Sequence, residues 1–324
     1  MLKVSTVIPA YNAAAFVARA IDSALIQGFD QQIIVVDDGS TDDTARVVSA
    51  YANAVELVRT ANRGVSAARN EAIRRARGEF VAFLDADDEW LPGKLSAQLE
   101  LFERYPDLGT VIADEVHVDP QGTVVRPSFF GSRSFARELP EAPGVVPKPI
   151  TWLVKESFFP TSSVLARRTV LAQAGFFDET LSIVEDRDLW IRLALAGPVG
   201  IVPSVQLRYL TNQSASLSRA SRARWARSLS RVLWRYRTRI EPRLQSEGAG
   251  RGVLATQFVS AGDVLWHADE HAAACTSYVR AMLCGDASRL GKAIVCATGA
   301  APLLKRLKRV LRRPTTAGTD GPAA

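Results

Sequence analysis

Three carboxylates close the apolar run Phe80-Val81-Ala82-Phe83-Leu84-Asp85-Ala86-Asp87-Asp88. Crowded carboxylates repel and are costly to desolvate, and a divalent cation with oxygen ligands, Mg²⁺ or Mn²⁺, is the usual relief. The pattern therefore suits a metal-bound phosphate. Alternate residues of an extended segment share a side, so Asp85 and Asp87 face one ligand across Ala86. The same residues also suit capping, with Asp87 or Asp88 ahead of a helix that begins near Pro92. Upstream, Ile33-Ile34-Val35-Val36 ends in a second acidic pair, Asp37-Asp38, before Gly39-Ser40-Thr41-Asp42-Asp43. A third run, Val4 to Ile8, ends in Pro9-Ala10-Tyr11-Asn12.

These side chains need elements to carry them. Apolar, β-branched runs bounded by polar residues read as buried strands, and each of the three is followed by a turn and a helical pattern, over roughly 13–27, 43–52 and 92–105. That alternation predicts a mostly parallel α/β sheet, whose ligands bind beyond the carboxyl ends of the strands. The three motifs then share one edge. Tyr11, Asp37 and Asp38 stand at that edge, and Asp38-Gly39-Ser40-Thr41-Asp42 also reads as a turn leading to an N-cap. Arg69 follows the small residues Gly64-Val65-Ser66-Ala67-Ala68, where a guanidinium suits phosphate or base oxygens, while Arg74, Arg75 and Arg77 read as a solvated helix face.

The motifs Val7-Ile8-Pro9-Ala10-Tyr11-Asn12, Val36-Asp37-Asp38-Gly39-Ser40-Thr41-Asp42, Asn62-Arg63-Gly64-Val65-Ser66-Ala67-Ala68-Arg69-Asn70 and Phe83-Leu84-Asp85-Ala86-Asp87-Asp88 resemble, in order, the signatures of family 2 glycosyltransferases. Gly175-Phe176-Phe177-Asp178-Glu179 and Glu185-Asp186-Arg187-Asp188-Leu189-Trp190-Ile191-Arg192-Leu193 resemble the family's acceptor-side motifs, so the likeness covers about the first 215 residues. It implies the GT-A fold, a Rossmann-like, mostly parallel mixed sheet flanked by helices. It also implies metal-dependent, inverting transfer of a sugar from a nucleotide-sugar donor, with UDP favoured, to a hydroxyl of a glycan or lipid-linked acceptor in cell-surface polysaccharide or glycolipid synthesis. By the same resemblance Pro9, Ala10, Tyr11, Asp37, Asp38, Arg69, Asp85 and Ala86 contact the donor. Asp87 holds the metal and Asp85 touches ribose or metal. Asp186 is the base for the acceptor hydroxyl, with Glu185 as rival, and capping of the following helix is the competing reading of both. Many relatives carry a histidine in the stretch matching Tyr209-Leu210-Thr211-Asn212-Gln213-Ser214, and this chain has none there.

Two other functions fit parts of the pattern. A sugar-1-phosphate nucleotidyltransferase shares the sheet and acidic site but opens with a glycine-rich, basic loop, and Val4 to Asn12 contains no glycine, lysine or arginine. A non-catalytic protein that binds membrane or partners would have no need of intact aspartates. His267-Ala268-Asp269-Glu270-His271 matches the H-x-x-E-H zinc motif, but no glutamate follows position 270 to complete the ligand set.

The chain has 324 residues, 47% of them hydrophobic, enough for a large core. The expected organisation is a catalytic domain over 1–215, a helical C-terminal region over 216–302 and a basic, flexible tail over 303–324. Cys275, Cys284 and Cys296 lack ligand spacing and read as core-filling thiols. No run of eighteen apolar residues occurs and the N-terminus enters a strand at once, so the expectation is a cytoplasmic protein without a signal peptide, peripheral at the inner face of the membrane. The formal net charge is +6. Between Arg219 and Arg251 stand ten arginines and two glutamates, with Arg224, Arg227, Arg231 and Arg235 at helical spacing and Trp225, Leu229, Val232, Leu233, Tyr236 and Ile240 on another face. Lys305-Arg306-Leu307-Lys308-Arg309-Val310-Leu311-Arg312-Arg313 adds a second basic stretch. A membrane surface suits the later stretch, a face packed on the catalytic domain suits 222–240, and nucleic acid is not expected. Pro120 to Pro160, with Phe129-Phe130 and Trp152-Leu153, reads as irregular acceptor-side surface, followed by Pro160-Thr161-Ser162-Ser163 leading into a strand.

Overall fold

The computed structural model describes residues 3–28, 30–211 and 222–300. The chain opens with β1 (Val4–Ala10), α1 (Val17–Leu25), β2 (Gln31–Asp37), α2 (Thr44–Ser49), β3 (Val55–Arg59), α3 (Val65–Arg75) and β4 (Phe80–Phe83). There follow β5 (Glu89–Trp90), α4 (Lys94–Arg104), β6 (Thr110–Val118), β7 (Val124–Arg126), β8 (Gly144–Val145), α5 (Pro149–Lys155), β9 (Leu165–Arg167), α6 (Arg168–Ala174), α7 (Glu185–Ala196) and β10 (Val199–Leu210). The C-terminal region is helical, with α8 (Arg222–Arg235), α9 (Arg237–Ser246), α10 (Gly252–His267), α11 (His271–Leu283) and α12 (Leu290–Ala297).

One mixed sheet runs in the order β3-β2-β1-β4-β9-β6-β10-β5. The first four strands are parallel, as helical crossovers require, with Val4 opposite both Gln31 and Phe80, so the ends of β1, β2 and β4 reach the same edge. β9 enters antiparallel between β4 and β6. Because side chains alternate across a strand, each strand feeds two cores. Val7, Ile34, Val81 and Phe83 pack with α3, α5 and α7 on one face; Ile8, Ile33, Val35, Phe80 and Ala82 pack with α1 and α4 on the other. The first core continues without a break into the C-terminal helices through Leu229, Val232, Leu233, Ile240, Leu244 and Phe258.

Several expectations change. β5 separates the acidic triplet from α4, whose N-cap is Gly93 in the left-handed conformation, so neither Asp87 nor Asp88 caps that helix. Phe129, Phe130, Trp152 and Leu153 are buried rather than surface residues. Trp152 stacks on Phe135 with ring centres 4.6 Å apart, and the aromatics of this proline-rich stretch close the core beside α7. Trp225 lies 45% exposed, off the apolar face assigned to it, whereas Leu229, Val232, Leu233 and Ile240 are buried as expected. His267 ends α10 and His271 begins α11, so the pair does not share one helix face; Glu270 between them pairs with Arg227. Cys284 and Cys296 are buried and all three cysteines are free thiols. No helix among the described residues is long and apolar enough to cross a membrane. The tail assigned to 303–324 and residues 212–214 lie outside the described residues.

Candidate functional site

At the sheet edge, backbone geometry is set by two glycines and two aspartates. Gly39 has φ +76°, and a Cβ there would lie 2.7 Å from the backbone nitrogen of Asn62, which glycine alone avoids. Gly64, at φ +90°, turns the chain into α3. Asp37 is fully buried; its Oδ1 accepts from the Ser40 amide at 2.9 Å and its Oδ2 faces Arg59 Nε at 3.2 Å. Asp38 accepts from the Arg63 amide at 3.0 Å, the Gly64 amide at 2.7 Å and Thr60 Oγ1 at 3.1 Å, joining the end of β2 to the start of α3. Both aspartates of the pair therefore organise loops. Pro9 and Ala10 complete β1, and Tyr11, 53% exposed, offers an open ring just beyond them.

Arg69 is 5% exposed in α3, unlike Arg74 and Arg75, which lie towards solvent and pair with Glu71. Its Nη2 donates to Asp85 Oδ1 at 2.7 Å and its Nη1 stands 3.6 Å from Glu185 Oε1. The guanidinium also lies 5.2 Å from the Phe177 ring centre, while Nε and Nη1 are buried without a hydrogen-bond partner. Burial opposes its charge, but Asp85 and Glu185 more than offset this and keep it firmly protonated. The motifs that bear Asp85 and Glu185, about a hundred residues apart, thus meet on one side chain.

The acidic triplet has a built floor. Ser162 Oγ accepts from the Asp85 amide at 3.0 Å and donates to Asp88, which is buried and whose pKa is pushed well up, first by burial and then by the charge of Asp87. Trp90 Nε1 donates to the Ser162 carbonyl at 2.6 Å, and beneath it the buried Lys94 ammonium lies 4.0 Å from the Trp90 ring centre. Ser162, in the stretch that leads into β9, thus ties the two ends of the triplet together. Burial, then the neighbouring charge of Asp85, raises Asp87 to about 6. Asp87 also borders a cavity of about 490 Å³ lined by Arg19, Glu89 and Arg208 among others.

These residues fit a divalent cation shared with a ligand. Among the described residues no cluster of three or more histidine, cysteine or acidic side chains could hold a metal alone. Asp85 and Asp87 are partly buried neighbours of like charge; Arg69 bonds Asp85 directly, whereas at Asp87 the opposing charges of Arg69 and Arg19 are outweighed by burial and by Asp85. Mg²⁺ and Mn²⁺ sites of this class take one or two carboxylates and complete their shell with phosphate oxygens and water.

Glu185 and Asp186 lie in the first turn of α7 rather than ahead of it. The N-cap is Val184 in the left-handed conformation, with no side-chain cap, and both acids stand in the first turn, where Asp186 bonds the Arg187 amide. Burial, reinforced by the charge of Asp186, raises Glu185 to about 7; Asp186 is raised too, chiefly by burial, although it accepts from the Arg187 amide at 2.6 Å. A carboxylate held near neutrality suits proton abstraction. The segment before α7 is clamped by residues whose roles the sequence reading did not assign. Asn70 donates to the Phe177 carbonyl and accepts from its amide, each at 2.9 Å. Arg192 donates to the carbonyls of Ala174, Gly175 and Phe176 and pairs with Asp188. Their signal was present, since Asn70 follows Arg69 in its motif and Arg192 lies four residues after Asp188 on one helix face.

Residues 5–158 match the model of Glycosyl transferase family 2. Chondroitin synthase of Escherichia coli is 30% identical over 199 residues, covering 60% of this chain and 27% of that protein. The succinoglycan biosynthesis protein ExoO of Rhizobium meliloti is 35% identical over 229 residues, 68% of this chain and 63% of its own. The chain thus spans roughly a quarter to just under two thirds of these relatives. Among solved structures, Staphylococcus aureus TarS 1-349 in complex with UDP superposes with a TM-score of 0.61 at 18% identity, over 90% of this chain and 92% of that one. Mannosyltransferase PcManGT from Pyrobaculum calidifontis, in complex with GDP-Man and Mn²⁺, gives 0.59 at 21% identity, over 95% and 82%. At such identities the likeness establishes the fold, which is GT-A-like.

Proposed function

Because residues 5–158 belong to glycosyl transferase family 2, we propose that this chain moves a sugar from a nucleoside-diphosphate sugar to a hydroxyl of a glycan or lipid-linked acceptor, inverting the anomeric carbon. In this reading the catalytic unit is residues 1–215, a helical region follows over 216–302, whose described helices α8, α9 and α10 share the catalytic unit's core, and a tail over 303–324 comes last. The names of ExoO and chondroitin synthase favour polysaccharide synthesis, and UDP or GDP-mannose in the two structural neighbours favours a nucleotide-sugar donor. The observation that carries the reading is the Arg69 bridge, which brings the donor-side Asp85 within one side chain of the acceptor-side Glu185.

In this reading Tyr11, Asp37 and Asp38 border the nucleobase, with Pro9, Ala10 and Ala86 lining the donor pocket. Asp87 and Asp85 would hold Mg²⁺ or Mn²⁺, which when bound neutralises charge on the departing diphosphate. Arg69 orients Asp85 and keeps a positive charge beside the donor site. Asp186 accepts the acceptor proton as the hydroxyl attacks the face opposite the leaving group, with Glu185 as the rival base. UDP is the favoured nucleotide. The basic stretch 305–313 would meet anionic headgroups at the cytoplasmic face of a membrane, where a lipid-linked acceptor resides. The test is a panel of nucleotide sugars with Mn²⁺, read as melting temperature. One diphosphate class should stabilise the chain and Asp87→Ala should abolish that shift; indifference to every donor would refute the proposal.

A further inference from the structure

The helices beyond residue 221 grip the turn that bears Glu185 and Asp186 at two separate points. First, Arg235, the last residue of α8, places Nη1 2.7 Å from Asp178 Oδ2 and 3.7 Å from Asp188 Oδ1. Asp188 is fully buried in the first turn of α7, three residues after Glu185, and its other oxygen binds Arg192. Arg192 spends its remaining donors on the carbonyls of residues 174–176, leaving Arg235 as the link from Asp188 to Asp178. Second, Glu247, just past α9, accepts from the Ile150 and Thr151 amides at 3.2 and 2.7 Å and so caps the start of α5. The far end of α5 presents the carbonyls of Leu153 and Val154 to the buried guanidinium of Arg187, at 2.7 and 2.8 Å. Arg187 is the immediate neighbour of Asp186, and its guanidinium also approaches the Trp225 ring of α8.

We propose that α8 and α9 are a working part of the transfer site, with Arg235 a positioning residue that sets the first turn of α7 and thereby the base. This rests on the reading of Asp186 or Glu185 as base. A purely adhesive appendage would need only the apolar contacts of Leu229, Val232 and Leu233; the charged links instead converge on the two segments that flank the acids. Misplacing a reacting group by about 1 Å costs on the order of a hundredfold in rate, so a modest slackening of this turn is visible in kcat.

The full-length chain is assayed at saturating donor and acceptor, with donor affinity measured separately by calorimetry. Arg235→Ala should lower kcat about tenfold or more while leaving the donor Kd within about twofold. Arg235→Lys should recover most of the loss, and Asp178→Asn, which cuts the same link from the other side, should reproduce it without adding to Arg235→Ala. Wild-type kcat in Arg235→Ala, a parallel loss of donor binding, or no rescue by lysine overturns the proposal. Glu185→Gln and Asp186→Asn are run beside these. If both transfer like wild type the base reading falls, and this inference with it; if either is inactive while Arg235→Ala is silent, only the bracing role falls.

Discussion

Asp87→Asn should make the protein more stable and less able to bind its donor. Asp87 has a folded-state pKa of about 6, raised from 3.8 by burial and by the charge of Asp85. At about 1.4 kcal/mol per unit, a shift of about two units corresponds to roughly 3 kcal/mol of destabilisation carried by the ionised form. The sign follows from proton counting: between pH 4 and 6 the folded chain binds more protons than the unfolded one, so stability falls as pH rises through that window. Asparagine keeps the shape without the charge. Relative to wild type, its gain should be near zero at pH 4 and full above pH 6, which at about 2 °C per kcal/mol for a chain of this size is a rise of about 6 °C in Tm at pH 8. Differential scanning calorimetry at the two pH values reads this directly. Adding Mn²⁺ with the donor should then raise the wild-type Tm and leave Asp87→Asn unmoved, reversing their order. A variant that is no more stable at pH 8, or that gains equally at pH 4, would refute the electrostatic argument for a cation site.

Asp186→Asn should lower kcat by about 10²–10⁴, as loss of a general base does, while Glu185→Gln keeps transfer; inactivity of Glu185→Gln alone would exchange their roles. Trp152→Ala should cost about 3–5 kcal/mol in urea unfolding, because the indole is fully buried against Phe135 and Phe158, and a loss below 1 kcal/mol would contradict that packing. Deleting 303–324 should weaken binding to anionic vesicles and spare neutral ones; unchanged binding to both would count against the membrane contact.

The strands and the site edge were legible because their signals are local. An apolar run ending in carboxylates specifies both a buried strand and what lies at its end, and β1, β2 and β4 fall where Val4, Ile33 and Phe80 indicated. Sequence order also placed Arg69, Asp85 and Glu185 in motifs, but their meeting depends on α3 and α7 packing on one face of the sheet, a long-range fact with no local mark. The stretch from Pro120 to Pro160 misled for the opposite reason. Prolines and aromatics without periodicity look like surface, yet Phe129, Phe130 and Trp152 cover the apolar face left open beside α7. The displaced Trp225 reflects a helix face judged from hydrophobicity alone, where Ala223 and Ala226 take the inward positions instead. The brace from Arg235 to Asp178 and Asp188 was illegible because an arginine at helical spacing looks the same whether it meets water or a buried carboxylate.

In the proposed reading, donor binding and proton removal belong to opposite sides of one site, joined by Arg69. Calorimetric titration of the preferred nucleotide sugar, with Mn²⁺, into Asp87→Ala and Asp186→Asn tests it most directly. Asp186→Asn should bind donor with wild-type affinity although its transfer is reduced by about 10²–10⁴, whereas Asp87→Ala should show no measurable heat of binding. Equal affinities in the two variants, or loss of binding in Asp186→Asn with retention in Asp87→Ala, would contradict it.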